Sequence, residues 1–116
     1  MKIFSVSEFI VFLNEGLREL ADPREVAVEG EVAEYRVSQD RFVWFKIKDP
    51  DGVLDCFAMS FALRERLDDG MKVRVYGVPR IFPKSGKFSI NVQRVELVGE
   101  GALKQAFELL KKDLAA

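Results

Sequence analysis

Val26-Ala27-Val28-Glu29-Gly30-Glu31-Val32 is the stretch whose reading decides the fold. Val26, Val28, Gly30 and Val32 share one face at a period of two, while Glu29 and Glu31 take the other, the alternation of a half-buried β-strand. Gly30 sits inside that strand, where a residue without a side chain marks a bulge or a sharp bend. Small closed barrels use such bends to turn their corners. An open sheet with flanking helices accounts for short strands equally well, but it gives no reason for the bend.

Upstream the period changes to that of a helix. Ser5-Val6-Ser7-Glu8 fits a capping box, in which a Ser oxygen and a Glu three residues on satisfy unpaired amide donors. Val6, Phe9, Ile10, Leu13, Leu17 and Leu20 then form one apolar stripe, and Asp22-Pro23 ends it because the residue before Pro avoids helical angles. The stripe predicts that residues 1–23 pack as a lid on the barrel. Downstream, strands are expected at 42–48, 53–60, 72–80 and 87–97, with turns at Pro50-Asp51-Gly52 and Lys84-Ser85-Gly86. Phe61 to Leu67 reads as a short helix closed by Asp69-Gly70. Glu100-Gly101 introduces a final helix over 102–115, with Leu103, Phe107, Leu110 and Leu114 on one side. Five strands with a helix between the third and fourth is the connectivity of a mainly β Greek-key barrel of the oligonucleotide-binding (OB) type. The barrel is expected over residues 24–98 and the C-terminal helix over 99–116.

Composition bounds what such a domain does. The chain of 116 residues suits one domain, and 48% hydrophobic residues are enough to build its core. No run of eighteen apolar residues is present, so no membrane partner is expected, and MKIFSVSEF is interrupted too early by Ser and Glu for a secretory signal. Cys56 is the only cysteine and has no internal partner, which favours a reducing, cytoplasmic setting. With no His and one Cys, a structural zinc site is nearly excluded, and no other metal or cofactor is expected. Glu29, Glu31 and Glu34 read as solvated strand carboxylates, since hard cations want six or more oxygens from converging segments. There is no Gly-rich phosphate loop before a helix and no base partner evident for Ser or Cys56. No catalytic site is expected within these residues.

A binding site is expected instead. The net charge is −1, yet residues 71–95 carry six basic groups (Lys72, Arg74, Arg80, Lys84, Lys87, Arg94) and no acid, which points to a local anion site. Lys and Arg guarding an exposed strand edge is the plainer explanation. The second strand argues further. Val43, Phe45 and Ile47 make a wholly apolar face; Phe42, Trp44, Lys46 and Lys48 make the other. Two large aromatics beside two ammonium groups are poor core, but they suit single-stranded nucleic acid, whose bases stack and whose phosphates pair with cations. In strand three Leu54, Cys56 and Ala58 face inward, leaving Phe57 as a further stacking platform beside Asp55 and Met59. A terminal helix or a neighbouring subunit covering Trp44, Phe57 and Met59 is the competing explanation. The loops that complete OB sites would supply Arg36, Ser38, Gln39 and Arg41 on one side and Arg80, Phe82, Lys84, Ser85 and Lys87 on the other.

The segments Val28-Glu29-Gly30-Glu31-Val32, Phe45-Lys46-Ile47-Lys48-Asp49, Asp69-Gly70-Met71-Lys72-Val73 and Gly99-Glu100-Gly101-Ala102-Leu103, with the opening Phe4-Ser5-Val6-Ser7-Glu8 and Cys56 in strand three, resemble the N-terminal domain of the exodeoxyribonuclease VII large subunit. The match runs in order along the whole chain. It departs at Asp40-Arg41-Phe42, where that family commonly has a Ser-Gly-His turn, and at Asp55, where a basic residue is common. The resemblance implies an OB domain that binds single-stranded DNA, with a nuclease domain, absent from this chain, following it and a small helical subunit as further partner. Protein docking through the aromatic face, or RNA binding, are the alternatives.

Overall fold

A computed structural model describes residues 1–63 and 66–98. Helix α1, Val6–Leu20, starts where the capping box predicts, with Ser5 Oγ accepting the Glu8 amide at 3.2 Å. Five strands follow: β1 (Val28–Ser38), β2 (Phe42–Asp49), β3 (Gly52–Met59), β4 (Lys72–Ile81) and β5 (Phe88–Leu97). They close into a barrel in the order β1-β2-β3-β5-β4, with β4 returning to pair with β1. Only β3 and β5 run parallel, through Cys56–Ile90 and Phe57–Asn91. This is the OB topology, and it excludes the open sheet.

The alternation read from the sequence lines the barrel. Val43, Phe45 and Ile47 of β2 are buried together with Cys56 and Ala58 of β3, Val73 and Val75 of β4, and Ile90 and Val92 of β5. Closure removes the free strand edges, and the apolar inner faces supply most of the driving force.

The bend in β1 falls elsewhere than expected. Pairing with β2 slips between Ala33 and Arg36, where Glu34 adopts φ +52°, so the bulge lies four residues beyond Gly30. The Tyr35 amide in this bulge donates to the Asp69 carboxylate at 3.0 Å. Gly30 serves close packing instead. A Cβ there would stand 3.0 Å from Ile47 Cβ and 3.2 Å from the Lys48 backbone nitrogen.

The helix expected over 61–67 is a single 3-10 turn, Ser60–Ala62, with no helix at 66–68. Tertiary hydrogen bonds explain the difference. The Ser60 amide donates to the Arg41 carbonyl at 2.8 Å and its hydroxyl to the Asp40 carbonyl at 3.1 Å, which ties the chain to the β1–β2 turn. Leu67 still fills the core, at 1% exposure. The final helix expected over 102–115 lies outside the described residues.

Helix α1 is less of a lid than its stripe suggests. Ile10 is buried, but Val6, Phe9 and Leu20 are exposed. Helical periodicity identifies an apolar face; it does not say how much of that face meets the barrel. The attachment is polar as well: Asn14 Nδ2 donates to the Ile81 carbonyl at 3.0 Å, and its Oδ1 accepts the Ile81 amide at 2.8 Å. Asn14→Ala is therefore expected to cost about 1–3 kcal/mol by leaving both backbone groups of Ile81 unpaired, read as a lowered urea midpoint. Among the described residues no helix is long and apolar enough to cross a membrane.

Candidate nucleic-acid interface

Alternation on β2 turns Phe42, Trp44 and Lys46 outward, and antiparallel register sets Trp44 across from Phe57 on β3. The rings converge on Phe57: Trp44 lies 4.5 Å away between centroids, Phe42 5.9 Å and Phe82 6.4 Å, the last edge-on. The four aromatics expected in the site thus form one continuous patch. Phe82 belongs to the β4–β5 loop, residues 82–87, and its ring docks that loop onto the barrel. The loop is closed internally, with the Phe82 amide donating to the Lys87 carbonyl at 2.9 Å and the Gly86 amide to the Phe82 carbonyl at 2.7 Å. The Arg80 guanidinium stands 5.5 Å from the Phe82 ring centre, within cation–π range.

The cations sort into three groups. Arg36 lies on β1 directly across from Trp44, not in a loop, because the β1–β2 connection is a tight turn with Gln39 and Asp40 at φ +56° and +53°. Arg41 ends that turn. Arg80 and Lys87 line the clefts beside the aromatic patch on the opposite side, and Lys84 belongs to the same β4–β5 loop. Among the described residues, no carboxylate forms an ion pair with any of these five. Lys46 differs: its ammonium sits 3.5 Å from both the Glu34 and the Asp55 carboxylates. Asp55 first, and Glu34 second, hold its pKa above the ordinary lysine value. Lys46 is charged but already engaged, inside a cluster whose net charge is negative. Lys48 lies four residues beyond Trp44, about 13 Å along the strand, beside the Asp49–Gly52 turn, and does not join the patch. The basic quarter of the sequence also divides. Arg74 is held by Glu29 and Glu96, and Arg94 lies 4.0 Å over the Tyr76 ring while pairing with Glu96. Glu29 and Glu34 are thus occupied by side-chain cations.

The Phe57–Phe82 contact separates two clefts. One, of about 480 Å³, runs between Trp44 and the β4–β5 loop, with Cys56 at its floor and Ser89 in its wall. The other lies between Phe57 and α1, bounded by Asn14, Arg18, Arg80 and Asn91. Sequence patterning does not single out Ser89 and Asn91. Their signal is the outward period of β5, which acquires meaning only once the register with β3 is known.

Cys56 is buried in the core at 1% exposure. Burial, with the Asp55 charge adding to it, pushes its thiol up to about 12. The folded state therefore keeps this proton longer than the unfolded chain. The contribution to stability is complete below the unfolded thiol's pKa of about 8.5 and is lost as pH rises toward 12. A thiol reagent is expected to leave the native protein unmodified at neutral pH, and the alkaline fall in urea midpoint should be shallower in Cys56→Ala.

A closed β1-β2-β3-β5-β4 barrel with an aromatic face between a tight turn and a basic loop defines an OB domain. Residues 4–96 match the OB-fold nucleic acid binding domain family, and the chain belongs to it. Its relatives include exodeoxyribonuclease 7 large subunits. That of Leptospira interrogans is 28% identical over 118 residues, covering 98% of this chain and 28% of the relative. That of Lactiplantibacillus plantarum is 39% identical over 95 residues, covering 79% and 21%; that of Stutzerimonas stutzeri is 37% identical over 95 residues, with the same coverage. The resemblance to the N-terminal OB domain of that large subunit stands, and the match spans between 21% and 28% of these relatives' own length. Among solved structures, a replication protein A heterotrimer bound to ssDNA has a TM-score of 0.54 at 15% identity, covering 77% of this chain and 70% of that one. Asparaginyl-tRNA synthetase from Pyrococcus horikoshii has 0.53 at 17% identity, covering 63% and 19%. At these identities the likeness is one of fold.

Proposed function

We propose that this domain binds single-stranded DNA across β2, β3 and the β4–β5 loop, and that in the longer protein it presents the strand to a nuclease region outside this chain. The observation that carries the reading is the ring patch Phe42, Trp44, Phe57 and Phe82, flanked by five cations that are not ion-paired among the described residues. Stacked bases would lie on the rings, and Arg36, Arg41, Arg80, Lys84 and Lys87 would hold the backbone. Lys46, engaged by two carboxylates, and Lys48, at the far end of its strand, fall out of the phosphate-binding set. The relatives' name supports DNA as the substrate and a nuclease with its small subunit as partners. The ssDNA-bound heterotrimer supports single strands.

Four or five phosphate contacts imply that oligo-dT affinity falls about tenfold or more for each threefold rise in salt. Quenching of Trp44 fluorescence by oligo-dT at low salt, repeated across a salt series, tests this. No quenching and no mobility change at low salt would reject the reading. RNA binding is the second reading, favoured by the barrel shared with a tRNA synthetase. DNA and RNA oligomers of one sequence separate the two.

A further inference from the structure

Among the described residues, two buried side-chain polar atoms make no hydrogen bond: Ser89 Oγ and Asn91 Oδ1. Leaving such an atom unpaired costs stability, and native folds keep few of them. Both lie on β5, two positions apart and so on one side of the strand. The parallel register puts Asn91 level with Phe57 and, one residue back along each strand from the Cys56–Ile90 pair, Ser89 level with Asp55. Two rows therefore cross the outer face side by side, Trp44–Phe57–Asn91 and Lys46–Asp55–Ser89. Ser89, 3% exposed, belongs to the wall of the first cleft, and Asn91 to that of the second. Both residues thus line clefts beside the aromatic patch, one cleft each, with the unpaired atoms themselves buried.

The unpaired Asn91 oxygen and the carboxylates of these rows are acceptors, whereas the Ser89 hydroxyl can accept or donate. Asn91 Oδ1 accepts only, and the Asp55 and Glu34 carboxylates accept beside Lys46. The carboxylates disfavour a phosphate beside Lys46, while Arg36 and Lys87 in the first cleft and Arg18 and Arg80 in the second can take the backbone. A base edge that brings an amino donor suits the acceptors: cytosine and adenine carry an exocyclic amino group, whereas thymine carries a carbonyl oxygen at that position and offers only its ring N–H. We propose that the two clefts flanking Phe57 are base subsites in which Ser89 and Asn91 hydrogen-bond the edge of an amino-bearing base. The domain then distinguishes cytosine or adenine from thymine within a single strand. This rests on the reading that the β2–β3 face binds single-stranded nucleic acid. It adds recognition of bases to stacking and charge, which by themselves tolerate any sequence.

The test compares oligo-dC, oligo-dA and oligo-dT on the wild type, Ser89→Ala and Asn91→Ala, by anisotropy of labelled oligomers, with a thermal melt of each protein. Wild type is expected to bind oligo-dC or oligo-dA about fivefold or more tighter than oligo-dT, the size of one net hydrogen bond. Asn91→Ala should erase much of that preference and change oligo-dT binding less than about twofold, because an amino-bearing base uses the deleted acceptor; Ser89→Ala should reduce it less, since a hydroxyl can also donate to the thymine carbonyl. Melting temperature should hold or rise, because each removes an unpaired buried atom. Equal binding of the three oligomers by the wild type overturns base reading while single-strand binding stands. So does an unchanged preference in variants that melt lower, which would make both residues structural. Failure of every oligomer to bind overturns the proposed function itself, and this inference with it.

Discussion

Replacing Trp44 and Phe57 together by alanine is expected to weaken oligo-dT binding by about two orders of magnitude, with much of the fold's stability retained. Each base stacked on an aromatic ring contributes about 1–3 kcal/mol. The two rings stand 4.5 Å apart, so they support one another and the two effects will not simply add. A combined loss of about 3 kcal/mol corresponds to roughly a hundredfold in affinity, against roughly tenfold for Trp44→Ala alone. Phe57→Ala should exceed Trp44→Ala, because Phe57 also carries the ring contacts to Phe42 and Phe82. The fold should tolerate both changes better than Phe45→Ala, since Trp44 and Phe57 are half-exposed on the outer face while Phe45 is 2% exposed inside it. Anisotropy of a labelled oligomer measures affinity without relying on the missing tryptophan. A double variant that still binds within threefold of wild type would place the nucleic-acid path elsewhere. Lys84→Ala with Lys87→Ala should behave differently. That pair is expected to flatten the salt dependence, its slope falling by about 0.7 for each phosphate no longer neutralised.

Gly77→Ala is expected to be the most damaging single-methyl change in the barrel. A Cβ at Gly77 would stand within 3.0 Å of three atoms of β5, the Asn91 carbonyl oxygen and carbon and Ile90 Cγ2, with the oxygen the nearest of them. Two of these are backbone, which side-chain rotation cannot move aside. Gly77 also marks the point where the β4–β5 register slips, between Tyr76 and Gly77. Relief of the clash therefore requires β4 and β5 to part where the barrel is already irregular. Overpacking of this kind costs about 3 kcal/mol or more, and Gly77→Val should fail to give a folded domain. Gly16→Ala is the matching control. Gly16 lies within α1, and an added methyl there would meet nothing within 4 Å, so alanine should stabilise by about 1 kcal/mol through helix propensity. Urea midpoints of the two alanine variants should thus move in opposite directions. Parallel shifts would mean that the crowding at Gly77 is relieved at little cost.

The barrel is largely legible in the sequence because its evidence is local. A period of two over Phe42 to Lys48 separates an inner from an outer face without knowledge of any partner strand, and the burial of Val43, Phe45 and Ile47 agrees with it. The capping box at Ser5 is local too. Helix extent is legible only where a cap or a proline marks it. The stretch after Met59 is drawn into a 3-10 turn by hydrogen bonds to Asp40 and Arg41, about twenty residues earlier in the chain, which no window on 61–67 contains. Gly30 is a glycine the barrel requires, as its place in β1 suggests. Its purpose is packing and not the expected bend, because a bend and a close approach leave the same mark in a single strand.

For this protein the sequence alone determined the succession of strands along the chain, the inner and outer faces and the aromatic, basic character of the outer one, since each follows from side-chain alternation and turn residues within a local window. Tertiary structure decided which of those charges are available. Lys46 resembles Arg36 in sequence, but Glu34 arrives through the β1 bulge and Asp55 through the β2–β3 register, and together they engage it. Lys48 shares a face with Trp44 yet sits at the far end of its strand. Phe82 reaches Phe57 from 25 residues away, and Asn91 reaches it through a parallel pairing. Long-range register brings such groups together, and register is a property of the closed barrel, which no single strand carries.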